Sequence, residues 1–161
     1  MKITKFLAMM VAAVTMTMGF SSCGDDDDDA AGNASFAVEG TYSGDEVLTV
    51  MSEPFDRTTD YTFTKSSENT VDLVIPAIDA EGHMSLPELK IEGIVLTAGD
   101  NVVTGKLDSY EGKVMVDDVE KAYTFSDVTV IFSEESVSVV YTLKYGNMPF
   151  AFAGTFTGTK K

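Results

Sequence analysis

From Phe36 to the C-terminus the chain alternates with a period of two almost without interruption. In VSVVYTLKY, Val137, Val139, Tyr141, Leu143 and Tyr145 fall on one face, and Ser138, Val140, Thr142 and Lys144 on the other. Successive side chains of a strand point to opposite sides, so this pattern describes a strand with one buried and one wet face. DYTFTK, SDVTVIFS and PFAFAGTFTG repeat it, with Ile131 as an exception, and all are rich in Val, Thr, Tyr and Phe. No amphipathic helical run of ten or more residues interrupts them. The expected strands are 38–51, 58–65, 70–76, 89–98, 101–109, 113–117, 121–132, 136–145 and 149–158.

Between these runs lie turn signals: Gly99-Asp100-Asn101, Glu111-Gly112, Ser133 to Ser136 and Gly146-Asn147-Met148-Pro149. The widest gap, Pro76 to Leu89, carries two prolines that resist central-strand pairing and is expected to be a loop. Short strands at regular spacing without crossover helices imply an all-β antiparallel up-and-down meander. Gly40 to Gly44 reads GTYSG and Gly154 to Gly158 reads GTFTG. Glycines repeated on one strand face mark sharp bends or close backbone approach. Matching motifs at the two chain ends are expected if the first and last strands meet and close the sheet.

Residues 1–22 have a different character. Lys2 and Lys5 precede the uncharged run Phe6 to Phe20, which is shorter than the roughly 20 residues of a spanning helix. A basic start, an apolar middle and small residues at the end describe a secretory signal peptide. Ser21 and Ser22 lead into Cys23, the single cysteine of the chain. This resembles the bacterial lipobox, with Phe20 where leucine is usual. The resemblance implies a multiply acylated Cys23, and stable anchoring needs more than one acyl chain. Disulfides then play no part in the fold.

Asp25, Asp26, Asp27, Asp28 and Asp29 follow, and Ala30 to Ser35 is small and polar, so 23–35 reads as a tether. Five like charges cannot pack into a core. They serve either as a solvated spacer or as a sorting signal. An acidic cluster close behind a lipidated cysteine is similar to the signal that exports lipoproteins to the outer face of the outer membrane in some Gram-negative anaerobes. A periplasm-facing lipoprotein is the alternative. An EF-hand-like calcium loop does not fit, because the ligand spacing and closing glutamate are missing.

Removing residues 1–22 takes Lys2 and Lys5 from the 11 basic residues and none of the 26 acidic ones, so the net charge moves from −15 to −17. Such a surface disfavours nucleic acid, which needs a basic footprint. Residues 36–161 have the size of one ordinary domain and enough apolar content for a core without staples.

The lipobox, the acidic run, the GTYSG opening strand, the loop near residue 80 and the closing GTFTG together resemble the calycin-like, or lipocalin-like, β-barrel lipoproteins of gut anaerobes. Tyr42 stands where calycins often carry tryptophan. The resemblance implies a barrel of roughly eight strands and, by analogy, ligand binding.

Chemistry is sparse. His83, the only histidine, lies in the long loop with Asp79 and Glu81, and reads as an exposed residue rather than a metal ligand. No thiol–base pair or phosphate-cradling loop is present, and carboxylate pairs are expected by chance among 26 acids. The protein is expected not to be an enzyme and to need no metal or cofactor. The inward aromatics Tyr42, Phe63, Phe132, Tyr141 and Phe152 are the candidate contacts for a small apolar ligand, bound in a largely filled barrel near one mouth. The alternative is a surface accessory that recognises a protein or glycan through its loops. An enzyme inhibitor is the third option.

Overall fold

The computed structural model describes residues 37–80 and 84–161, and in it the alternation becomes a closed antiparallel barrel. Its strands in chain order are β1 Gly40–Val50, β2 Glu53–Ser67, β3 Thr70–Ile75, β6 Leu89–Ala98, β7 Val103–Val116, β8 Val119–Phe132, β9 Ser136–Tyr145 and β10 Phe152–Lys160. A small separate hairpin, β4 Ile78–Ala80 with β5 Met84–Leu86, is inserted between β3 and β6. Otherwise each strand pairs with its sequence neighbour, and β1 pairs with β10 to close the sheet.

That closure runs through the two glycine motifs, because Gly44 faces Gly158 in the β1–β10 register. A side chain on Gly44 would run into the Thr157 carbonyl oxygen and the Gly158 Cα, so the backbones meet only because neither residue has one. The inward faces then fill the interior. Tyr42, Phe63 and Phe132 pack together at one end with centroids 4.8–5.9 Å apart. Tyr61 stacks on Phe156 at 3.9 Å, and the Phe125 ring meets Tyr141 edge-on at 5.2 Å. The lumen is a packed core, as barrels of about eight strands permit. Every buried side-chain polar atom among the described residues has a partner. A closed sheet with its own satisfied core is what an independently folding domain requires.

Four expectations change. The runs 101–109 and 113–117 are one strand, β7, and Glu111-Gly112 is no turn: the Tyr123 ring lies across Gly112, where a Cβ would collide with it. The strand expected at 58–65 starts at Glu53, because Met51 and Ser52 make a tight turn with φ of 50° and 73°, a left-handed backbone without glycine. The stretch Pro76 to Leu89, expected as a loop, holds the β4–β5 hairpin, with Ile78 and Leu86 buried. The last strand begins at Phe152 rather than 149, three residues beyond Pro149.

Two seams in the barrel wall are closed by side chains rather than by backbone ladders. β6 and β7 pair only from Val95–Lys106 to Ala98–Val103. Beyond that, Tyr123 donates its hydroxyl to the Lys90 carbonyl at 2.8 Å, and Tyr110 donates to Glu92. β2 and β3 pair only from Thr62–Val74 onward. Above that point Arg57 of β2 reaches the Pro76 and Ala77 carbonyls at 3.1 and 2.8 Å.

Candidate functional site

Val38 and Lys160 lie at the end closed by Tyr42, Phe63 and Phe132: Tyr42 donates to the Val38 carbonyl at 3.0 Å, and Lys160 Nζ to the Ala37 carbonyl at 2.6 Å. The described chain therefore enters at this closed end. The eleven residues of β1 carry it to the opposite mouth, about 25 Å away along the axis for a strand tilted as barrel strands are.

At that far mouth lies a cleft of about 400 Å³. The end of β1, the turn and the start of β2 supply Val50, Met51, Glu53, Pro54 and Phe55, β5 supplies Met84, the β9–β10 connection supplies Met148 and Phe150, and β10 supplies Phe152. Phe55 enters because it shares the inward parity of Arg57, Tyr61 and Phe63. Phe152 opens β10 beside Leu143, and Phe150 meets it edge-on at 5.7 Å. The walls stand apart here because β2 has left its ladder with β3 and the β4–β5 hairpin belongs to neither.

Further along the lumen sits a group that local sequence gave little reason to expect. Glu46 is 0% exposed. Its Oε2 pairs with the Nε of Arg57, the only arginine in the chain. Its Oε1 accepts from the hydroxyls of Tyr61 and Tyr141, the latter at 2.9 Å, and those hydroxyls lie 3.1 Å apart. A buried charge is tolerable only when paired and hydrogen-bonded, and here each carboxylate oxygen is engaged. The usable signal was parity: Glu46 falls on the inward set with Tyr42, Gly44 and Leu48, and Arg57 with Tyr61 and Phe63.

Burial, the neighbouring Glu46 charge and hydrogen bonds to it push both hydroxyls well above the ordinary tyrosine value of 10.0; for Tyr61 the Tyr141 hydroxyl adds to this. Above pH 10 the unfolded chain loses these protons while the folded chain keeps them. Stability from the two tyrosines is therefore complete below pH 10 and declines as pH rises beyond it. Each tyrosine should weaken the folding constant by about tenfold per pH unit in that window. Urea midpoints measured from about pH 9 to pH 11 test this against the linkage slope. A flat profile would show that the pair ionises while the barrel stays folded.

The structure places the five aromatics expected to contact ligand in three regions. Phe152 lines the cleft. Tyr141 belongs to the Glu46 group, and Tyr42, Phe63 and Phe132 form the closed end. Phe55, Phe150 and the three methionines of the cleft were not expected. Asp79 is exposed on β4; Glu81, His83, Cys23 and Asp25 to Asp29 lie outside the described residues. Among the described residues no three His, Cys, Asp or Glu side chains are grouped to hold a metal ion.

Among solved structures, the chain is similar to a Bacteroides fragilis protein named a "putative outer membrane protein", with a TM-score of 0.60 and 18% identity. The likeness is one of fold. It covers 76% of this chain and 51% of the other, so the chain spans about half the length of that protein. No family model matches the chain, and no curated protein matches it.

Proposed function

We propose that this protein is a surface-exposed outer-membrane lipoprotein, held through Cys23, whose calycin-like barrel binds a small apolar molecule in the mouth cleft without catalysing a reaction. The observation that carries the binding role is the position of the cleft. It is lined by Phe55, Met84, Met148, Phe150 and Phe152, and lies at the end opposite the one where the chain enters. A tether running from Cys23 would hold the closed end toward the membrane and turn the cleft to the medium. The outer-membrane location is supported by the lipobox-like Cys23 with Asp25 to Asp29 and by the name of the B. fragilis protein.

The binding test uses the soluble chain from Gly24 and a neutral fluorescent probe, diphenylhexatriene. Phe150→Ala removes a partly buried wall of the cleft and should weaken binding by about tenfold, the equivalent of losing part of one apolar side chain's burial. Binding that is absent in the parent chain, or indifferent to Phe150, removes the role. For the anchor, Cys23→Ala in the full-length chain should abolish labelling by palmitate and release the protein from the membrane fraction. Retained labelling would mean that acylation is elsewhere.

A second reading has one observation in its favour. β7 and β8 continue past their other neighbours as a two-stranded arm whose tip turns at Asp117 and Asp118, and Met115 and Val119 stand there 62% and 56% exposed. Apolar side chains on a projecting arm suit contact with a partner protein.

A further inference from the structure

Resting on the reading of the cleft as a small-molecule site, we infer that its ligand is an apolar molecule bearing a positive charge. Among the described residues lining the cleft, Glu53 is the only charged one. No lining side chain offers an N–H or O–H to a carboxylate, sulfonate or phosphate. The one arginine is not among the lining residues: its charge is paired with Glu46, and it also donates to the Ala77 and Pro76 carbonyls. An anionic amphiphile entering this mouth would lose water and gain no counter-charge.

A cation meets the opposite conditions. Phe55, Phe150 and Phe152 present aromatic rings, whose faces attract an ammonium group. Met51, Met84 and Met148, three of the four methionines beyond residue 36, add polarisable sulfur on flexible stems that adapt to an apolar body. Glu53 supplies a carboxylate at the rim, and the net charge of −17 that remains without residues 1–22 raises the local concentration of cations and lowers that of anions. The chemical class is thus a hydrophobic amine or quaternary ammonium compound, rather than a fatty acid or a bile-acid-like carboxylate.

Three probes with one diphenylhexatriene body separate the alternatives: the neutral hydrocarbon, its trimethylammonium derivative and its propionic acid derivative. They are titrated into the soluble chain from Gly24 at about pH 8, where histidine is uncharged. The trimethylammonium probe should bind about tenfold tighter than the propionate, with the neutral probe between them. Glu53→Gln, at an exposed position, should narrow that ratio without moving the urea midpoint, and about 1 M salt should narrow it too. Equal affinities, or tighter binding of the propionate, would overturn the charge preference and leave the apolar site standing. Failure of all three probes would remove both.

Discussion

Replacing Arg57 by alanine is expected to destabilise the barrel by about 3–5 kcal/mol, the cost of stranding a buried charge. Glu46 has no access to solvent, and among the described residues Arg57 is the cation paired with it. Tyr61 and Tyr141 would still donate to one carboxylate oxygen, but two neutral hydroxyls do not replace a guanidinium. The same substitution releases the Pro76 and Ala77 carbonyls, which tie the start of the β4–β5 hairpin to the barrel wall. The control is the pair Glu46→Leu with Arg57→Leu. Removing both charges together leaves nothing ionic in the lumen, and such exchanges are often neutral or even stabilising. One of the two tyrosine hydroxyls would lose its acceptor, while the other could still donate across their 3.1 Å separation. The double variant should therefore be more stable than Arg57→Ala, as read from urea midpoints. Equal or greater loss in the double variant would mean that the ion pair contributes net stability of its own.

This network also shows where reading the sequence stops. β9 was legible because Val137, Val139, Tyr141, Leu143 and Tyr145 recur at every second position and all are buried, although Ser138 between them is buried too. Closure was legible because Gly44 and Gly158, far apart in the chain, carry the same local motif and meet in register. Gly112 misled, since a glycine making room for the Tyr123 ring and a glycine making a turn look alike in one dimension. Met51-Ser52 hid a turn because neither residue is one that favours the left-handed backbone it adopts. Glu46 and Arg57 look like solvent-facing charges until strand parity is imposed, and their pairing depends on the β1–β2 register. The cleft was the least legible feature, because residues 50–55, 84 and 148–152 meet only when the sheet closes.

Tyr141→Ala is expected to cost about 3–5 kcal/mol, the range for emptying a large aromatic core site. The ring is held on every side that the structure shows. Gly154 of β10 lies directly beneath it, so close that a Cβ there would overlap the ring, and the Phe125 ring meets it edge-on. Truncation would leave a void against a glycine, which has no side chain to move into the space, so relaxation is limited and the cavity cost stays high. Tyr141→Phe separates packing from hydrogen bonding. It keeps the ring on Gly154 and removes only the hydroxyl that donates to Glu46, a loss of about 1.5–3 kcal/mol for a bond to a charged group. The order parent, Phe variant, Ala variant should appear in both thermal and urea unfolding. Tyr141→Ala should also leave binding at the mouth weaker only through global instability, since Tyr141 is not among the residues lining the cleft. A loss below about 1 kcal/mol in the alanine variant, far under the core-site range, with probe binding abolished, would instead make Tyr141 the wall of a ligand cavity reaching into the lumen. The cleft would then be the entrance to the binding site rather than the site itself.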